Sequence, residues 1–150
     1  MKLKTTFISI AVIFSLWACT ENQTQVPIIG TWELISATAT EKDSTFSTFN
    51  PKQKMIKIIN STHFAFLNHD NRTGKDSSAA PFSAGGGEYT LVDSVYTEQL
   101  EYFIDKQWEN NKFEFIVKIT EDTLIQKGIE KVEKLGIDRV IVEKYKRVEK

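Results

Sequence analysis

Glu98 is the residue whose chemistry makes the strongest demand on its surroundings. It sits in Val95-Tyr-Thr-Glu-Gln-Leu-Glu-Tyr-Phe103, where strand alternation puts Tyr96, Glu98, Leu100 and Tyr102 on one face and Val95, Thr97, Gln99, Glu101 and Phe103 on the other. If the tyrosine face points inward, the carboxylate must meet Arg, Lys, a tyrosine, water or a ligand, because burying it unpaired costs several kcal/mol. Glu98 is therefore the candidate for orienting a bound molecule, with Tyr96 and Tyr102 beside it. The competing readings are a structural hydrogen bond to a neighbouring tyrosine, or the opposite facing. Phe64, Phe66, Tyr89, Phe113 and Phe115 recur at alternating positions, as rings that either line an apolar cavity or fill it. His63 and His69 share a strand face but stand roughly 20 Å apart at ~3.3 Å per residue, too far for one ion, so no metal site is expected. Gly85-Gly-Gly87 leads into Glu88-Tyr-Thr-Leu-Val, a strand, rather than into the Gly-Lys-Ser/Thr and helix of a phosphate loop. A flexible strand entry or a bulge is the expectation there. The chain carries no nucleophile–histidine–acid motif, no HExxH and no cofactor fingerprint, so it reads as non-catalytic and without a cofactor.

The elements that must position these residues are strands. The 150 residues, 41% apolar and 26% charged, suffice for one packed core. A net charge of −1 gives no pull toward nucleic acid, and a single cysteine excludes an internal disulfide or a multi-cysteine cluster. Alternating apolar and polar residues bounded by turn residues predict strands over 29–38, 54–60, 62–68, 88–92, 95–103, 112–119, 123–129 and 139–148. Ser61, Asp93-Ser94 and Thr120-Glu-Asp122 are hairpin-sized links, 104–111 is a longer polar turn, and Ile129, Val132 and Leu135 suit one or two helical turns. Eight sequential strands without a βαβ pattern predict an all-β, antiparallel up-and-down barrel over 28–150. The longest stretch without strand signal, 69–87, reads as a loop, with Phe82 either capping the barrel mouth as a lid or exposed on a mobile tip.

The N-terminus has its own pattern. Lys2 and Lys4 precede the apolar run Phe7–Ala18, whose roughly 18 Å as a helix falls short of the ~30 Å hydrocarbon core. Residues 1–18 thus read as a signal peptide. Leu16-Trp-Ala-Cys19 resembles the bacterial lipobox, which implies that Cys19 carries diacylglycerol and anchors the chain to a bilayer. Residues 19–27 are a polar tether. The expected location is the bacterial cell envelope, at the outer membrane.

Gly30-Thr-Trp32 opens the first strand and is similar to the Gly-x-Trp of lipocalins and related calycins. The resemblance implies that Gly30 and Trp32 belong to the closed end of the barrel, which the indole plugs, and that a basic residue of the last strand, Arg147 or Lys146, packs across it. Further pieces, Ile58–Phe66, Gly85–Thr90 and Tyr96–Tyr102, resemble the lipocalin-like lipoproteins of Gram-negative bacteria, several of them domains of unknown function. The implied partner is a small hydrophobic ligand held by Glu98, Tyr96, Tyr102, Phe64, Phe66, Tyr89, Phe113 and Phe115. The alternatives are a filled barrel acting through its outer surface on an envelope protein partner, and a calycin-type isomerase using Glu98 with a tyrosine.

Overall fold

The computed structural model describes residues 27–71 and 81–149. The expected signal peptide, Cys19, the tether as far as Val26, and residues 72–80 of the expected loop lie outside the described residues. Ten strand segments follow one another: β1 (Gly30–Glu41), β2 (Ser44–Ser47), β3 (Gln53–Ile59), β4 (His63–Asp70), β5 (Phe82–Val92), β6 (Val95–Leu100), β7 (Tyr102–Phe103), β8 (Asn111–Thr120), β9 (Thr123–Val132) and β10 (Ile137–Arg147). Among the described residues, helical geometry is confined to a single 3-10 turn, Glu133–Leu135, closed by Gly136 at φ 65°. Alternation is what makes these segments strands: β8 buries Phe113, Phe115 and Val117 and exposes Lys112, Glu114, Ile116 and Lys118 between them.

All ten segments join one antiparallel sheet, which closes where β1 pairs with β10, from Trp32↔Arg147 to Thr40↔Val140. β2 and β3 pair with the same edge of β1 at different heights, and β6 and β7 are one strand broken at Glu101. The wall therefore has eight staves, and the chain forms a closed eight-stranded antiparallel barrel. The links are tight where the sequence places them: Asp93 and Glu121 take φ 55° and 52° in their turns, and Asn60 Oδ1 accepts from the Thr62 and His63 amides at 2.9 and 2.7 Å.

Two stretches outside the expected strands are strand, the first of them in the expected loop. Phe82–Gly87 pairs with His69–Phe64 of β4. A Cβ on Gly85 would lie 2.6 Å from Phe66 Cζ and 2.9 Å from Phe103 Cδ2, so the glycine serves packing and does not mark flexibility. Phe82 consequently begins a strand, with its ring 58% exposed, and forms no lid. β2, Ser-Thr-Phe-Ser, has no apolar pattern and owes its form to pairing with β1 across a turn in which Lys42 sits at φ 53°.

One end of the barrel is solid. Trp32 is fully buried and its indole N–H donates to Ile28 O at 2.8 Å. The Arg147 guanidinium lies 4.0 Å from the ring centroid and donates to Ile29 O and Pro27 O at 3.0 and 2.9 Å. Gly30, at φ 149°, holds a conformation that L side chains rarely adopt, and a Cβ there would strike Arg147. Trp32→Ala is expected to cost about 3–5 kcal/mol, and Arg147→Leu about 1–2 kcal/mol, in urea unfolding. A Trp32→Ala variant as stable as wild type would contradict this account of the closed end.

Candidate functional site

Two local breaks in alternation decide what faces the lumen. β1 shifts register between Leu34 and Ser36, so Trp32 and Leu34 point inward before the break, Ala37 and Ala39 after it, and Ile35 is exposed. At Glu101 the register against β5 slips by one residue between Tyr89↔Glu98 and Gly86↔Tyr102, a one-residue bulge. Gly87 makes the bulge feasible, since a Cβ there would collide with the Gln99 carbonyl. Before it, Tyr96, Glu98 and Leu100 face inward; after it, Phe103 turns in and Tyr102 turns out, 67% exposed. Tyr102 therefore does not share the Glu98 face, a correction to the strict alternation read from the sequence.

Glu98 is 7% exposed and meets Lys57, 2% exposed, whose Nζ donates to Glu98 Oε1 at 2.8 Å. The same ammonium donates to Gln126 Oε1 at 3.0 Å. Its remaining surroundings are aromatic: Nζ lies 5.3 Å from the Tyr145 centroid, 5.7 Å from Phe64 and 5.9 Å from Tyr96. Lys57, Glu98 and Gln126 stand on β3, β6 and β9, none adjacent to another in the sheet. They meet because the barrel closes. The Tyr96 hydroxyl is buried near Glu98 without a partner in hydrogen-bond geometry. Burial first, and the Glu98 charge second, hold its ionisation far above the ordinary phenol range. Burial likewise raises Tyr145, reinforced by Glu143, whose Oε2 accepts its hydroxyl at 2.7 Å.

Beyond this cluster, in the half of the lumen away from Trp32, the barrel is hollow. A cavity of about 260 Å³, partly open to solvent, is walled by Met55, Phe66, Leu100, Phe103, Trp108, Phe113, Phe115 and Ile141, with Lys57, Glu98 and Gln126 at its base. Arg139, Glu130, Glu143 and Tyr145 complete the wall. Arg139 Nε and Nη2 both donate to Glu130 Oε2 at 2.7 Å, a cross-strand pair at the Arg139↔Glu130 register. Burial pushes the Glu130 carboxyl above its ordinary value, with Arg139 opposing the shift.

The eight residues expected to hold a ligand thus separate. Glu98, Phe66, Phe113 and Phe115 line the cavity. Phe64 and Tyr96 are buried around the Lys57 ammonium instead. Tyr89 donates to Asn60 O at 2.7 Å and lines a cleft with Ile28 and Arg147 at the closed end. Tyr102 lies in a groove on the outer wall. His63 and His69 are exposed along β4, and among the described residues no three His, Cys, Asp or Glu side chains gather as a metal set. The residues that sequence reasoning missed are chiefly Lys57, Gln126, Trp108, Arg139 and Glu143. One signal was available for Lys57: it alternates with Met55 and Ile59, and Glu98 required a cation.

No family model matches the chain, and no curated protein matches it.

Two stability predictions follow from this geometry. Lys57→Met leaves Glu98 buried without a counter-charge and should cost about 3–5 kcal/mol, whereas Lys57→Met/Glu98→Leu should return to within about 1–2 kcal/mol of wild type. Additive losses in denaturant unfolding would contradict the coupling. Because the folded state holds the Glu130 proton more tightly than the unfolded chain, Glu130 lowers stability as pH rises from about 4.5 through its raised folded value. Unfolding across that window should show a decline that Glu130→Gln flattens; an unchanged slope would refute the assignment.

Proposed function

We propose that this chain is an envelope-anchored lipoprotein whose lipocalin-like barrel binds one small, largely apolar ligand in the open half of its lumen, without catalysis. The observation that carries the reading is the cavity of about 260 Å³, aromatic in its walls and polar at its base. Such a division suits binding: burying roughly 200 Å² of apolar ligand surface at ~25 cal/mol per Å² yields about 5 kcal/mol gross, while the polar base fixes orientation. The Glu98 carboxylate is engaged by Lys57, which favours an orienting role over proton transfer. The resemblance to lipocalin-like lipoproteins gains support from the closed barrel and from Arg147 lying across Trp32. In this reading an acylated Cys19 anchors the barrel to a bilayer, with the outer membrane as the proposed location, and the near-neutral charge argues against a nucleic-acid partner.

A second reading, a protein-interaction module of an envelope complex, has its own observation. A groove of about 530 Å³ on the outer wall, beside β4, β5 and β7, exposes Leu67, Tyr102 and Ile104.

Native mass spectrometry of the full-length protein from an envelope extract tests both. The expected spectrum shows diacylglycerol on Cys19 and a non-covalent adduct of discrete small mass, absent from a Leu100→Phe/Ile141→Phe variant whose rings fill the cavity. A bare barrel with a stoichiometric protein partner would overturn the ligand reading in favour of the outer groove. An unmodified Cys19 would refute the anchor.

A further inference from the structure

The charges around the cavity do not balance. Its wall carries two cations, Lys57 and Arg139, and three carboxylates, Glu98, Glu130 and Glu143. Glu98 holds Lys57 at 2.8 Å and Glu130 holds Arg139 at 2.7 Å. Glu143 is left with a phenol: it accepts the Tyr145 hydroxyl at 2.7 Å, and among the described residues no cation stands at ion-pair distance from it. A hydroxyl stabilises a carboxylate without neutralising it, and in a half-enclosed aromatic space the remaining charge is screened less than at the surface. Glu143 also borders an adjoining chamber of about 220 Å³, with which the cavity shares Met55 and Arg139. The unneutralised charge thus stands where the two spaces meet.

The geometry points to a ligand that brings its own positive charge: a primary amine on a short aromatic or branched aliphatic body, with the ammonium on Glu143 and the body among Phe66, Trp108 and Phe113. This inference rests on the ligand-binding reading of the lumen and names the ligand's class. Size limits the body. At water's share of ~30 Å³ per molecule, about 260 Å³ holds on the order of ten non-hydrogen atoms, below the ~300 Å³ of sites for larger ligands. A carboxylate or phosphate ligand would face Glu143 with like charge, and the only other cations on the wall are already paired. A neutral ligand would offer Glu143 at most a hydroxyl or amide hydrogen bond, as Tyr145 already does, and would leave the charge it covers uncompensated.

Isothermal titration of the purified full-length protein with 2-phenylethylamine, 2-phenylethanol and phenylacetate isolates head-group charge, since all three carry the same ring. The amine should bind about tenfold or more tightly than the alcohol, because its hydrogen bond to the carboxylate also brings an opposite charge, and phenylacetate should bind weakest. Glu143→Gln keeps an acceptor for the Tyr145 hydroxyl and should reduce the amine's advantage to within about twofold. An alcohol or phenylacetate that binds as tightly as the amine, or an amine advantage that persists in Glu143→Gln, overturns the amine class and leaves the lumen as a ligand site. Binding by none of the three overturns the amine class, and the ligand reading of the lumen then stands or falls on the adduct in the native mass spectrum. The ranking on the wild-type protein decides the matter even where the variant does not fold.

Discussion

An ammonium group taken out of water inside a closed sheet must be met from across the lumen, and the contact of Lys57 with Glu98 and Gln126 answers that requirement. Its two partners lie 41 and 69 residues further along the chain. The contact therefore exists only when strands far apart in the sequence hold the correct heights. A one-residue slip of β3 would turn Lys57 outward and bring Ile56 or Ile58 into its place, leaving Glu98 uncompensated. A two-residue slip would keep the apolar face inward, but it would part Lys57 from Glu98 and Gln126. Here the desolvation cost of the pair is offset by hydrogen bonds to both partners and by three aromatic faces around Nζ.

The same contact divides the interior. On the Trp32 side, large rings and branched residues fill the space: Trp32 and Tyr96 with Leu124 and Val117 are 0–1% exposed. On the other side the wall residues carry head groups that must reach one another or solvent, as Arg139 reaches Glu130 and Tyr145 reaches Glu143. Polar groups that need directional partners cannot interdigitate as aliphatic side chains do. Space remains among them. Gly85 extends the room by letting Phe66 and Phe103 approach each other, with centroids 5.8 Å apart, and Phe103, Trp108 and Phe113 continue the ring wall at 6.1 and 6.2 Å. A dense floor, a charged middle and a hollow aromatic mouth are thus three consequences of one sequence pattern read around a closed sheet.

The architecture was legible because alternation is local. β8, β9 and β10 can be read from their own residues, and the turns at Asn60 and Asp93 carry residues suited to them, Asn60 by its side-chain acceptor and Asp93 by its tolerance of positive φ. β2 and the first half of β5 were not legible, since Ser-Thr-Phe-Ser and Ser-Ala-Gly-Gly-Gly owe their strand form to neighbours rather than to pattern. The site was half legible for a related reason. Glu98 announced a need for a partner, yet which cation would answer depended on sheet closure, which no window of sequence contains. Tyr102 was placed on the wrong face because a single extra residue at Glu101 inverts every side chain after it, and bulges leave no periodic trace. Trp108 stood in a polar turn whose folding over the lumen rests on hydrogen bonds such as Asn111 Nδ2 to Trp108 O at 2.7 Å.

A crystal structure of the protein purified from its native source, with the density inside the barrel refined before any ligand is placed, tests the central claim most directly. The account requires Lys57 Nζ within hydrogen-bond distance of both Glu98 and Gln126, and separate density for a small molecule between Trp108 and that cluster. A lumen packed solid by protein side chains, with Lys57 turned out to solvent, would contradict it.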